Sequence, residues 1–422
     1  MKNIFLQIAF LALTINAVQA QTVSQISSGA GYGKQAFYSL TTDKSTTVDN
    51  AAWDIAFSVY GQQDAGIFVN EASSTTVKAI ELYKAPSNIF ADKIVEADVK
   101  DRLYNDEQSW ANGGFNAGRD LANNFDYGWA TYNTTTKLVE GKKVFVLKLR
   151  NATYRKLEIQ NLNLTKYTFR HSNLDGSDEK TATIDKKDFA GKTLAYFSLT
   201  TGASVAVEPS TPFDMLFTRY TSIIDQNGSG PTPYVVLGIL TARGVQVAKA
   251  TGIDPVKVNP KDYNNLYVKN IDVIGFDWKV INMATSKWEM LKDRVYFVKQ
   301  TDGTIWKLFF VDFEGSATGT GTFEKTNLGK LLAINDISSD IKFNVFPTVA
   351  QNTVNIAFET AQNETMQISL FDLAGRNVMS QKITTTTGFQ VYNFDVNNLQ
   401  SGTYIVNLVT KNGTAVRKII VE

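Results

Sequence analysis

The chain has 422 residues, 43% apolar and 20% charged, which excludes an intrinsically disordered protein, since disorder requires few apolar residues and high net charge. Its 42 Lys and Arg against 41 Asp and Glu give a net charge of +1, so no global field attracts a polyanion and nucleic acid is not an expected partner. Cysteine is absent and histidine occurs once, which excludes disulfides, thiol nucleophiles, thiolate or multi-imidazole zinc sites and bis-histidine haem within one chain.

The N-terminus carries Lys2, an apolar run from Ile4 to Leu13 broken by Gln7, and a small-x-small step at Val18-Gln19-Ala20. This pattern predicts a signal peptide over residues 1–20 and export into the periplasm. No later run reaches the ~18 apolar residues of a membrane span, so no transmembrane segment is expected. Abundant Tyr, Phe, Thr and Val favour strands.

Two segments recur. Ala36-Phe37-Tyr38-Ser39-Leu40-Thr41-Thr42, followed by Trp53-Asp54-Ile55-Ala56-Phe57, returns as Ala195-Tyr196-Phe197-Ser198-Leu199-Thr200-Thr201, followed by Phe213-Asp214-Met215-Leu216-Phe217. Phe125-Asp126-Tyr127 aligns with Phe276-Asp277-Trp278 at an offset of 151 (125 to 276), and the same offset, without a gap, carries Val144–Lys148 onto Val295–Lys299. The pattern predicts an internal duplication of antiparallel β lobes, 21–190 and 191–326. Turn signals at Asn151-Ala152 and Asp302-Gly303 make each second segment a hairpin. In Trp53-Asp54-Ile55-Ala56-Phe57 alternation puts Trp53, Ile55 and Phe57 on the core face, so Asp54 is expected to be exposed.

Tyr167, Phe169 and His171 share one strand face by the same rule, ahead of a turn at Asp175-Gly176-Ser177-Asp178-Glu179 whose spacing fits no EF-hand. No nucleophile elbow occurs, and no carboxylate pair can be chosen from sequence. No catalytic residue or metal site is therefore assigned, and the chain is not expected to be an enzyme. Residues 327–341 read as a polar, turn-rich linker. Residues 342–422 carry closely spaced strand signals and predict an Ig-like β-sandwich, which makes the whole chain mainly β.

In that tail, Phe343-Asn344-Val345-Phe346-Pro347, Leu370-Phe371-Asp372-Leu373-Ala374-Gly375-Arg376, Leu399-Gln400-Ser401-Gly402-Thr403-Tyr404 and Lys418-Ile419-Ile420-Val421 resemble the type A C-terminal sorting domain of the type IX secretion system of the Bacteroidota. Thr348 departs from the Asn usual there. The resemblance implies the type IX machinery as a partner and a secreted or cell-surface protein. The duplicated core resembles the HmuY-like family of haem-binding surface proteins, through Trp53-Asp54-Ile55-Ala56-Phe57, Phe213-Asp214-Met215-Leu216-Phe217-Thr218-Arg219-Tyr220 and Tyr296-Phe297-Val298-Lys299-Gln300-Thr301-Asp302-Gly303. That resemblance implies haem or haemoproteins as partners. Haem iron takes His, Met, Cys or Tyr axially; the resemblance implies methionine ligation, which makes Met283 and Met290, between the Phe-Asp motif and the hairpin of the second copy, the candidate haem ligands beside the single histidine His171, although gap-filling methionines and a hydrogen-bonded strand histidine are the plainer reading of the same residues. No cofactor is firmly assigned. Three functions stay open: a binding protein with an apolar cleft lined by Trp278, Trp288, Met283 and Met290, a structural or adhesive surface protein without a small-molecule ligand, and a secreted hydrolase.

Overall fold

The computed structural model describes residues 21–422 apart from 62–63, 226–227, 331–342, 361, 373–375 and 411–412. The expected signal peptide and most of the expected linker lie outside the described residues. The described chain is mainly β, with short 3-10 turns and no α-helix, and divides into two compact units at Gly329/Lys330.

In the first unit the strands do not sort by sequence. The hairpin Lys34–Ser39/Lys44–Asp49, from the first of the two similar sequence segments (repeats by sequence likeness alone), pairs with Met215–Asp225 of the second. In return Leu194–Ser198 of the second repeat pairs with Ile55–Ser58 of the first. Thr22–Ser27 lies on Thr320–Lys330. Strands thus cross the 190/191 boundary in both directions, because each Ala-aromatic-aromatic-Ser strand finds its hydrogen-bonding edge on the other repeat.

Asp54 and Asp214 hold this exchange in place, and neither is exposed as expected for Asp54: they are 5% and 7% accessible. The Asp54 carboxylate accepts the Leu199 N–H at 2.7 Å, and Asp214 accepts the Leu40 N–H at 2.7 Å. Alternation placed each Asp off its own core, and on that side the other repeat covers it. A carboxylate so buried stays only by satisfying buried N–H groups. Between the exchanged strands Phe37, Trp53, Phe68, Tyr196 and Leu216 pack as one cluster, each such side chain contributing roughly 1.5–3 kcal/mol.

Two larger cores flank this seam. One gathers Phe57, Phe115, Trp129, Phe145, Tyr167 and Phe169 beneath the eight-stranded sheet. The other gathers Tyr38, Phe217, Trp278, Tyr296, Phe310 and Phe323 beneath a five-stranded sheet. Residues 327–330, expected in the linker, instead finish the Thr320–Lys330 strand. Its polar Lys325 is buried, with Nζ bound to the Leu40 carbonyl at 2.9 Å and to Asp43 at 2.9 Å, so this lysine is held by partners distant in the sequence rather than by solvent.

In the second unit a three-stranded and a five-stranded sheet enclose a single core that includes Ile356, Phe358, Ile368, Leu370, Val406 and Leu408. Alternation along Thr353–Thr360 and Gly402–Thr410 puts Val354, Ile356 and Phe358, and Tyr404, Val406 and Leu408, on the inner face.

Candidate functional site

Two β-hairpins, one per repeat, flank the cores. In the first, Ala130–Asn133 pairs with Leu138–Gly141. Asn133 shapes its turn by accepting the N–H groups of Thr135 at 2.9 Å and Thr136 at 3.2 Å and donating to Glu140 at 3.0 Å. In the second, Lys279–Asn282 pairs with Lys287–Met290. Asn282 accepts from Ala284 at 3.0 Å and Thr285 at 3.2 Å and donates to Glu289 at 2.6 Å. The equivalence is therefore Asn133 with Asn282, an offset of 149 (133 to 282).

The next strands return to 151, since the pair Phe145/Leu157 matches Tyr296/Leu308. Two extra residues before Arg294 absorb the difference, which corrects the gap-free alignment expected from sequence. Trp129 now stands with Trp278, and both are fully buried. Val139 stands with Trp288.

That substitution decides which repeat has an open groove. In the first, a cleft of ≈ 380 Å³ is lined by Phe125, Tyr132, Val139, Leu162, Leu164 and Lys137, among others. Its size and apolar walls are those of a small-molecule site. Phe125 and Tyr132 stack with centroids 5.7 Å apart and planes 17° apart, and the Tyr132 N–H donates to the Phe125 carbonyl at 2.8 Å, which fixes the pair. In the second repeat the Trp288 indole occupies the corresponding space. It packs edge-on to Phe313, the counterpart of Leu162, at 5.3 Å. It also covers Gly315, the counterpart of Leu164, where a Cβ would come within 3.1 Å of the indole.

The residues chosen from sequence do not converge. Met283 sits on the hairpin turn, 83% exposed. Met290 faces Lys279 at the hairpin base and packs on the core, ~10 Å along the strands from Met283 at ~3.3 Å per residue. Trp278 is buried, and Lys279 fills the space beside it: its ammonium lies 4.1 Å from the Trp278 ring and 5.0 Å from Phe313 and donates to the Leu237 carbonyl at 2.7 Å. Burial pushes this lysine down to about 7.

His171, 1% accessible, lies 2.9 Å through Nδ1 from the Arg155 guanidinium. Arginine only donates, so Nδ1 is the acceptor and the proton sits on Nε2. Burial, then the charges of Arg155 and Lys180, push the imidazole down to about 4. The turn after it is tied in by Asp178, whose carboxylate pairs with Arg155 at 2.7 Å. Among the described residues no group of three or more His, Asp or Glu is placed to hold a metal.

A second, more polar cleft of ≈ 470 Å³ follows the seam between the repeats. Burial raises the Glu208 and Asp214 carboxyls that line it. Both are committed to backbone, Glu208 accepting the N–H groups of Thr193 and Leu194 at 2.8 and 2.9 Å. Its cations are occupied too: Arg243 pairs with Asp64 and lies 4.3 Å from the Tyr60 ring, while Lys192 donates to the Glu208 and Pro209 carbonyls. The Lys137 ammonium at the first cleft, in contrast, has no partner among the described residues.

Phe125, Tyr132 and Leu164 did not stand out in the sequence. The available signal was the paired exchange of Val139 and Leu164 for Trp288 and Gly315, which becomes visible only after the two-residue shift is known.

Residues 344–422 match the family of secretion system C-terminal sorting domains. This match supports a type IX secretion signal in the tail. It implies interaction with the type IX machinery and a secreted or cell-surface protein, and among the described residues no helix is long and apolar enough to cross a membrane. No curated protein matches the chain. Among solved structures it is similar to dimeric latent PorU from Porphyromonas gingivalis, at 8% identity and a TM-score of 0.18, over 95% of this chain and 34% of that one. It is also similar to the BSP domain of a biofilm associated protein, at 9% identity and a TM-score of 0.18, over 95% and 81%. The chain thus spans about a third of the PorU chain, and at these scores neither likeness carries an argument.

Proposed function

We propose that this is a non-enzymatic binding protein of the cell surface, whose first unit consists of two diverged, strand-exchanged HmuY-like copies that capture a small apolar ligand, and whose tail is an Ig-like sandwich serving export. The observation that carries this reading is the groove beside Phe125 and Tyr132, ≈ 380 Å³ with mostly apolar walls, since exposed aromatic pairs beside aliphatic side chains favour ligands that lose water on binding. Haem enters through the family resemblance alone, because Met283, Met290 and His171 stand apart.

The test is a titration of the full mature chain with haem, followed by visible absorption in oxidised and reduced forms, beside Met283→Ala and Met290→Ala. A saturable Soret shift near one haem per chain that either methionine substitution abolishes supports haem capture. A saturable shift that both variants keep supports capture of a flat apolar molecule without methionine ligation. No saturable binding of haem or of a neutral aromatic dye overturns the binding reading. The adhesive alternative would then lead, favoured by Ile223 and Tyr234, 51% and 52% exposed near the end of the long Met215–Asp225/Pro231–Thr241 hairpin.

A further inference from the structure

We infer that the groove of the first repeat is a binding site for a flat, largely apolar molecule bearing one anionic group, and that the second repeat has closed the same site with its own Trp288. The inference rests on the binding reading above and deepens it.

Three observations lead to it. The groove has a fixed aromatic wall, Phe125 stacked on Tyr132, facing aliphatic Val139, Leu162 and Leu164. Phe125 and Leu164 remain 49% and 62% exposed, although a monomeric fold has no need to display such side chains together. A planar molecule entering here stacks on one side and meets aliphatic carbon on the other.

The second observation is charge. Lys137 stands exposed on the rim with φ of 61°, a backbone setting that Asn, Asp or Gly fills more readily. Neighbouring charged groups are engaged: Lys142 with Asp126 at 2.8 Å, and Glu140 with Asn133 and Thr136. Lys137 is the charged side chain that lines the groove itself, so an anionic group on the ligand is favoured beside it.

The third is internal comparison. The two hairpins share turn geometry, asparagine bonds and register, and differ where the groove lies. Small Val139 beside Leu164 leaves space, whereas Trp288 over Gly315 fills it. One scaffold therefore exists in an open and a self-occupied form. The indole, a flat apolar group, is itself a model of what the open form accepts.

The experiment uses the full mature chain and two dyes with nearly the same aromatic body, anionic 8-anilino-1-naphthalenesulfonate and neutral N-phenyl-1-naphthylamine, read by fluorescence titration. One saturable site is expected for each, with the anionic dye bound more tightly. Lys137→Glu weakens the anionic dye ~10-fold and leaves the neutral one unchanged. Val139→Trp removes both sites. Trp288→Val opens the second groove and raises the stoichiometry to two. Val139 is buried, so melting curves accompany that variant, and Phe125→Ala, at a half-exposed position, tests the same wall without threatening the core. Saturable binding that ignores both Val139→Trp and Phe125→Ala overturns the groove assignment while leaving a binding protein. Unchanged stoichiometry in Trp288→Val overturns the self-occupied counterpart. No saturable binding of either dye or of haem to the wild type removes the parent reading itself.

Discussion

Replacing Asp54 with Ala tests the strand exchange directly. The carboxylate accepts the Leu199 N–H at 2.7 Å and is almost fully enclosed. A hydrogen bond to a charged group contributes ~1.5–3 kcal/mol, and its removal leaves a buried N–H unpaired, so Asp54→Ala costs about 3 kcal/mol. Because the acceptor belongs to one repeat and the donor to the other, the loss falls on a segment far away in sequence, Leu194–Ser198 and the Ala203–Val205 strand paired with it. At tenfold per 1.4 kcal/mol, amides of that segment exchange about 100-fold faster. Hydrogen exchange by mass spectrometry on the full mature chain reads this segment by segment. Asp214→Ala does the reverse, loosening Lys34–Ser39 and Lys44–Asp49 through Leu40. Asn at either position keeps an oxygen acceptor and costs about 1 kcal/mol. If Asp54→Ala loosened the Lys34–Asp49 hairpin instead, or left 194–205 protected, the reciprocal latch would be refuted.

Two pH measurements follow from buried groups. His171 is the single histidine of the chain, so its imidazole resonance is unambiguous by NMR; it is expected to titrate near 4, and a midpoint near the unperturbed 6.5 would show that Nδ1 is not held by Arg155. Glu71 is 5% exposed, its carboxylate accepting the Asn105 and Thr221 N–H groups at 3.1 and 3.4 Å, and burial raises it from 4.5 to about 7. The folded state then holds a proton that the unfolded state has released, so this group's stabilising contribution is full below 4.5 and is lost as pH rises to about 7, by roughly 3 kcal/mol at most. Glu71→Gln removes that slope. Its urea midpoint is therefore expected to gain on the wild type from pH 4.5 to 7, and a difference that does not change with pH would count against a protonated Glu71.

Much of the fold was legible because it depends on local pattern. Alternation along Tyr167–His171 named the inner face, and the turn signals at Asn151-Ala152 and Asp302-Gly303 marked the hairpins that pair Val144–Lys148 with Tyr154–Asn163 and Arg294–Lys299 with Thr304–Phe313. Asp54 failed by the same logic: alternation says which side of a strand a residue takes, and it does not say what covers that side. The placement of the haem candidates was hidden for a related reason: Met283 and Met290 are seven positions apart, and the hairpin puts one on its turn and the other at its base.

By itself the sequence determined the β character and the sorting tail of residues 344–422, because strand propensity and a specific motif set are each local in the chain. Only the tertiary structure decided which repeat supplies each strand's partner, that Asp54 and Asp214 are buried acceptors, and that a groove stands open at Val139 and is filled at Trp288. Those outcomes depend on contacts between residues some 150 positions apart, whose free energies arise only when the chain has closed on itself.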